Sequence, residues 1–409
     1  MEIYVHVPFC VRKCGYCDFV SASAEKEVQN AYMKALRREI GLAAKEQRGE
    51  PDVVISIFFG GGTPSIIDAG EIAETLACIR QEFMVAEDAE ITLEANPGTL
   101  TREKLEVYRK AGVNRLSIGL QSADDGELSL LGRIHTFAKF KESYRLAREA
   151  CFQNINVDLM AALPGQSVKS FKKSLLAVRG LSPSPEHISV YSLIIEEGTP
   201  FYEQYHRQAA AREVGEEDCR PLPTEEEERK MYALTGESLA ACGYERYEIS
   251  NYAKPGFSCR HNMGYWTGVF YLGFGISAAS YINGTRFFNT NDLETYLKLL
   301  GGEEDSGKAG FSGRKVLRQV RQNEETVTTE RAMEEFMFLG LRTTKGVSEG
   351  EFVRRFRTGM EELYGTVLKA MEQDGLMERI VSGGQEDIHW RLTARGIDIS
   401  NYVLAKFLF

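Results

Sequence analysis

Short apolar runs alternate with longer amphipathic stretches through the first half of this chain. Residues 3–7, 53–59, 90–95, 115–120, 155–160 and 187–193 are rich in Val, Ile, Leu or Phe, and each run is predicted to be a strand. Between them, residues 32–45 put Tyr32, Leu36, Ile40 and Ala43 on one face at helical spacing. Residues 69–83, 101–111, 138–150 and 170–178 repeat that pattern. Six strands alternating with helices predict an α/β fold with a parallel sheet, whose strand ends carry the ligand-binding loops.

The pattern changes after residue 202. An acidic stretch opens at Thr224, which reads as the cap of a solvated helix. Residues 247–282 are dense in aromatics and glycines. Residues 301–313 are polar and glycine-rich and read as a loop. Beyond them, helices are predicted over 329–343 and 350–364, and a strand over 389–392. The organisation expected is a core over residues 1–300, a linker over 301–328 and a small α+β domain over 329–409.

Composition narrows the class. The chain has 409 residues, 43% hydrophobic and 26% charged, which suits a globular protein of one large and one smaller domain. A formal net charge of −10 argues against non-specific nucleic-acid binding. Met1 leads into a strand pattern rather than a leader, and the longest apolar run, residues 268–282, is too short to span a bilayer. A soluble, cytoplasmic protein is expected.

Eight cysteines are present, and five of them (Cys78, Cys151, Cys219, Cys242 and Cys259) are scattered. The other three, Cys10, Cys14 and Cys17, form a C-x3-C-x2-C triplet in the loop after the first predicted strand. Thiolates so spaced can wrap one face of an iron–sulfur cubane, leaving one iron without a protein ligand. A Cys3His zinc site with His6 is the alternative. Gly60-Gly61-Gly62-Thr63-Pro64-Ser65 follows the second strand, either as a close backbone approach to a ligand or as a plain turn. Glu94, Gln121 and Asp158 lie at or near successive strand ends, either sharing a pocket or as satisfied structural groups. His261-Asn262-Met263-Gly264-Tyr265-Trp266 offers an imidazole and flat aromatic surface suited to heme, or else a core histidine in an aromatic patch. His389 beside Trp390 reads as a structural strand pair.

Tyr4-Val5-His6-Val7-Pro8-Phe9-Cys10, the cysteine triplet and Gly60 to Ser65 resemble the radical-SAM core. Together with Arg115 to Ser122, Leu131 to His135, Asp158 to Gln166 and Gly273 to Ala278, they resemble the oxygen-independent coproporphyrinogen III oxidase family and its sister group, the HemW-type heme chaperones. The resemblance implies an open, partial TIM-like (β/α)6 barrel with a winged-helix-like C-terminal domain. It implies a [4Fe-4S] cluster on Cys10, Cys14 and Cys17. It also implies S-adenosylmethionine (SAM) against Tyr4, Gly61, Gly62, Thr63, Glu94, Gln121, Arg133 and Asp158. The oxidases carry a further cysteine two residues after the third, where this chain has Phe19. The chaperones lack it and carry a motif like the one at His261, Asn262, Tyr265 and Trp266. The resemblance therefore implies a heme chaperone serving heme-requiring apo-proteins such as respiratory enzymes, with the porphyrin-forming oxidase as the alternative and enzymatic activity left open. It also allows a homodimer and peripheral membrane contact, for which no residue pattern speaks.

Overall fold

The computed structural model describes residues 1–47, 52–213, 220–302, 309–381 and 387–408. Cys219 lies outside these residues. All six predicted strands form: β1 (Glu2–Val7), β2 (Val54–Gly61), β3 (Val85–Ala95), β4 (Arg115–Gln121), β5 (Ile155–Ala161) and β6 (His187–Ser192). They lie side by side in that order, all parallel. The helices α1 (Lys26–Glu46), α2 (Ala69–Glu82), α3 (Arg102–Ala111), α4 (Asp125–Leu130), α5 (Phe137–Glu149) and α6 (Val168–Arg179) connect them. Their starts are written locally. The side chains of Asp68, Thr101, Thr136 and Ser167 each accept a backbone N–H of the turn that follows.

Alternation along the strands divides the sheet faces. Ile3, Val5, Ile57, Phe59, Leu93, Ile118 and Val157 are buried in one core with Tyr32, Leu36 and Ile40 of α1. Each such side chain contributes roughly 1.5–3 kcal/mol by leaving water. The intervening positions carry Glu2, Tyr4, Ser56, Glu90, Thr92, Glu94, Arg115, Ser117, Asn156, Asp158 and His187. A polar opposite face is unusual for a parallel sheet, whose two faces normally read as continuous apolar runs. It supplies the chemistry described below.

The chain continues through α7 (Pro200–Glu213), α8 (Glu225–Ala240), β7 (Glu245–Arg246), β8 (Asn251–Ala253), α9 (Arg260–Thr267), β9 (Tyr271–Phe274), β10 (Ala279–Ile282), β11 (Thr285–Asn289), α10 (Leu293–Leu300), α11 (Ala309–Val320) and β12 (Arg321–Thr326). Thr224 caps α8 in a reciprocal capping box with Glu227. The sheet stays open: β9 extends it past β1, followed by antiparallel β10, β11 and β12, while β8 and β7 extend it past β6. A buried carboxylate ties the extension down. Glu39 of α1 accepts Gly275 N at 2.9 Å, Asn289 Nδ2 at 2.6 Å and Tyr296 Oη at 2.5 Å.

The expected linker over 301–328 is corrected. Residues 303–308 lie outside the described set, but 309–326 form α11 and β12, and β12 pairs with β11 as the last strand of the sheet. Its sequence, Arg-Gln-Asn-Glu-Glu-Thr, carries no apolar alternation, because an exposed edge strand is held by backbone pairing rather than by side-chain burial.

The C-terminal part comprises α12 (Thr329–Gly340), β13 (Val347–Ser348), α13 (Glu349–Phe356), α14 (Met360–Gln373), β14 (Met377–Val381), β15 (Ile388–Leu392), α15 (Ala394–Asp398) and α16 (Ser400–Leu404). The three strands form a separate sheet, ordered β13-β15-β14, around their own apolar cluster. The single helix predicted over 350–364 is two. Arg357 adopts φ 62°, which ends α13, and Glu362 reaches back to Gly359 N to start α14. Among the described residues no helix is long and apolar enough to cross a membrane.

Candidate functional site

At the C-terminal ends of the parallel strands lies a cavity of about 500 Å³. Cys10, Cys14, Cys17, Gly61, Gly62, Thr63, Glu94, Gln121, Arg133 and Asp158 all line it, so the sequence-expected residues converge with the exception of Tyr4. Tyr4 stands behind the wall, its hydroxyl 3.2 Å from His6 Nδ1 and its ring against both Phe58 and His261. Asn96, Ser117, Met160, Tyr191 and Glu196 line the cavity too. None of these is singled out by the sequence, although Asn96, directly after β3, follows the same strand-end rule as Glu94.

The cysteine loop is fixed by backbone bonds. Cys10 N donates to Ala22 O, Gly15 N to Leu131 O, and Cys17 N back to Cys14 O. The glycine turn hydrogen-bonds to the same loop through Gly62 N to Val7 O and Thr63 N to Phe9 O, both at 2.8 Å. Gly62 is there because a Cβ would sit 2.6 Å from Phe9 O and 2.8 Å from Phe9 N. Side chains complete the frame. Cys10 Sγ is 3.5 Å from Thr63 Oγ1, Arg133 Nη1 is 3.7 Å from Cys14 Sγ, and Arg133 Nη2 donates to Gly119 O at 2.8 Å. Burial pushes the Cys17 thiol up, and the proximity of Cys14 and Cys10 adds to the shift.

The donor set fits a cubane with one open iron. His6, the fourth ligand of a Cys3His zinc site, is already engaged: Nε2 is 3.0 Å from Val20 O and Nδ1 faces the Tyr4 hydroxyl. Among the described residues no three His, Cys, Asp or Glu side chains converge on a single ion. With His6 engaged elsewhere, the three thiols lack the histidine that a Cys3His zinc site requires. Two strand carboxyls, Glu94 and Asp158, face the cavity, with Asp18 and Glu196 at exposed positions on its lining. Burial raises Glu94 to about 8, the charge of Asp158 adding to it, while Gly61 N donates to the carboxyl at 3.2 Å and opposes the rise. Burial also raises Asp158, against hydrogen bonds from Asn156 (2.8 Å) and Ser117 (3.1 Å). Gln121 ends β4 at φ 71°, a conformation that non-glycine residues seldom take and that clusters at ligand sites.

Behind the cavity the polar strand face continues as a buried network. Arg115 is fully enclosed near Cys259, Glu90, Tyr247 and Asp158. Asn156 Oδ1 is 2.6 Å from His187 Nδ1, and His187 Nε2 is 2.7 Å from the Tyr247 hydroxyl. Helix α9 plugs the far end. Glu90 accepts from Arg260 N (3.2 Å), His261 N (3.4 Å) and Cys259 Sγ (3.3 Å), capping that helix.

His261, expected to face heme, is turned inward in this structure. The residue is 2% exposed. Its Nδ1 is 2.9 Å from Ser56 Oγ, its Nε2 is 3.1 Å from Tyr265 Oη, and its ring stacks on Phe58. Burial, aided by Arg115, lowers it to about 3, so the ring is neutral. Asn262 is half-buried on the same helix. Tyr265 and Trp266 do border open space, a second cavity of about 430 Å³ between α9 and the C-terminal part. Cys259, buried against Glu90, offers no thiolate to it.

Residues 4–178 match the radical SAM superfamily and residues 327–399 the HemN C-terminal domain. The chain is 37% identical over 407 residues to the heme chaperone HemW of Bacillus subtilis (strain 168), covering 99% of this chain and 98% of that one. It is also 37% identical over 281 residues to the heme chaperone HemW of Escherichia coli (strain K12), covering 68% and 69% of the two chains. Among solved structures, the coproporphyrinogen III oxidase HemN from Escherichia coli, a radical SAM enzyme, superposes with a TM-score of 0.78 at 22% identity, over 99% of this chain and 89% of that one. With its fold, its three-thiol cavity and a full-length relative in agreement, the chain belongs to the HemW family of radical-SAM proteins.

Proposed function

We propose that this chain is a heme chaperone that binds heme, a [4Fe-4S] cluster and SAM, and passes heme to heme-requiring apo-proteins such as respiratory enzymes. The observation that carries the proposal is the match along nearly the whole chain to proteins named heme chaperones. Phe19 in the place of the oxidases' further cysteine supports it. Cys10, Cys14 and Cys17 would hold the cluster. Gly61, Gly62 and Thr63 would supply backbone and hydroxyl contacts to SAM. The carboxyls of Glu94 and Asp158 would take its cationic and hydroxyl groups, with Gln121 and Arg133 beside them. When bound, the cluster supplies a low-potential electron and SAM a sulfonium able to accept it. Burial of Glu94 holds a proton on its carboxyl until a cation replaces it.

Anaerobic reconstitution followed by stepwise addition of SAM, heme and an apo-cytochrome tests the proposal. Iron and sulfide uptake that is lost in Cys10→Ser, Cys14→Ser and Cys17→Ser, heme binding, and heme transfer are expected. Absence of heme binding would end the chaperone reading. Appreciable conversion of coproporphyrinogen III to protoporphyrinogen IX would make the chain an oxidase.

A further inference from the structure

We propose that Asn96 is a positioning residue for the cluster: it holds Arg133 and Thr63 against the sulfurs of Cys14 and Cys10, and so helps to set the potential at which the cluster takes up an electron. The proposal rests on the cluster reading above and adds to it a residue outside the ligand set.

Three observations carry it. The first is an unbroken run of side-chain contacts joining two of the three thiols. Arg133 Nη1 is 3.7 Å from Cys14 Sγ. Nη2 of the same guanidinium donates to Asn96 Oδ1. Asn96 Nδ2 donates to Thr63 Oγ1 at 2.8 Å, and Thr63 Oγ1 is 3.5 Å from Cys10 Sγ. Asn96 is the middle of this run, and both ends of its amide are in use. An aspartate in its place would lose the donor to Thr63, and a leucine would lose both contacts.

The second is the direction of each bond, which follows from the chemistry of its partners. Arg133 offers N–H groups and no acceptor. A cysteine sulfur that holds iron is a thiolate and has no proton to give. Thr63 Oγ1 already accepts the Asn96 N–H, which leaves its own proton for Cys10 Sγ. Both end contacts therefore run from donor to sulfur. Hydrogen bonds to the sulfurs are among the levers that set iron–sulfur potentials, and donors placed there favour the form that carries one more electron. Cys17 differs, since it receives a backbone N–H, that of Phe19.

The third is how firmly the run is anchored. Asn96 N donates to Ser65 Oγ at 3.2 Å, Ser65 Oγ lies 2.6 Å from Thr99 Oγ1, and Thr99 Oγ1 donates back to Asn96 O at 2.7 Å. Thr63 is buried, and Arg133 Nη2 is shared with Gly119 O at 2.8 Å. Asn96 thus links the glycine turn after β2 to Arg133 with little freedom to move. An asparagine that merely closed the loop after β3 would affect folding and cluster uptake, but not the potential of the cluster once loaded.

Mediated redox titration of the reconstituted full chain without SAM, followed by the electron paramagnetic resonance signal of the reduced cluster, tests this. Leaving SAM out keeps any contact between Arg133 and that cofactor from contributing. Circular dichroism and iron and sulfide content check that each variant folds and is loaded. In Asn96→Ala the potential is expected to fall by about 59 mV or more, a tenfold change in the one-electron equilibrium constant. Thr63→Val, which removes the Cys10 contact alone, is expected to lower it by less. The two changes combined should fall short of their sum, because Asn96 acts in part through Thr63. If Asn96→Ala takes up no cluster, Thr63→Val decides the matter. An unchanged potential in the variants that load would overturn the role of Asn96 while leaving the cluster reading intact. Failure of the wild-type chain to take up iron and sulfide would overturn both.

Discussion

Glu94 is expected to release a proton when a cation enters the cluster cavity. Its carboxyl is pushed up to about 8, first by burial and then by the charge of Asp158. At pH 7 a group of that pKa carries about 0.9 proton. Pairing with the positive charge of SAM returns it toward its ordinary value of 4.5, so about 0.9 proton leaves per SAM bound. The free protein then holds more protons than the complex. Affinity should rise with pH, by up to about tenfold per unit, and level off above about pH 8. Calorimetric titration of reconstituted protein with SAM, in two buffers of different ionisation enthalpy, counts the protons directly. Glu94→Gln should bind more weakly and lose most of the buffer dependence, any remainder belonging to Asp158. A wild-type heat that is identical in both buffers at pH 7 would refute the reasoning, because it would mean that Glu94 is already ionised or does not meet the cation.

Three further outcomes follow from the geometry. Burial raises Glu39 from 4.5 to about 7, so the folded chain keeps a proton that the unfolded chain loses between those values, and stability from this residue drains as pH rises through that window, by about 3 kcal/mol. Glu39→Gln lacks that loss, so urea unfolding should show the variant gaining on wild type from pH 5 to pH 8, and a constant gap would contradict this. Gly62→Ala places a methyl group 2.6 Å from Phe9 O, and separating the glycine turn from the cysteine loop should cost roughly 1–3 kcal/mol and weaken SAM binding, read by thermal melting and calorimetry. His261→Ala removes the ring met by the Ser56 hydroxyl (2.9 Å) and the Tyr265 hydroxyl (3.1 Å) and should lower stability by roughly 1–3 kcal/mol, read by urea unfolding, and an unchanged midpoint would contradict this.

Much of this protein was legible before folding, because the signals involved are local. Apolar runs mark β1 to β6, side-chain caps such as Thr101 and Thr224 mark where helices begin, and the Cys10–Cys14–Cys17 spacing places three thiols on one short loop. Position at or near strand ends brings Glu94, Gln121 and Asp158 forward as candidates, since parallel strands deliver their C-terminal parts to one rim. Short-range interruptions were harder to read: Arg357 splits a periodic stretch through a backbone angle that its residue type does not announce.

What the sequence could not decide is which side chains face inward and which distant segments meet. His261 sits in a motif that reads as heme-facing, yet helix α9 turns it onto Ser56, 205 positions away. Arg321–Thr326 has no apolar alternation and becomes a strand only because β11 offers it an edge. His389 reads as an ordinary strand residue until packing of the C-terminal part against α9 sets it beside Trp266 on one cleft. Local propensity and spacing act over a few residues, whereas burial, hydrogen-bond satisfaction and the raised carboxyls of Glu39 and Glu94 depend on neighbours contributed by remote parts of the chain.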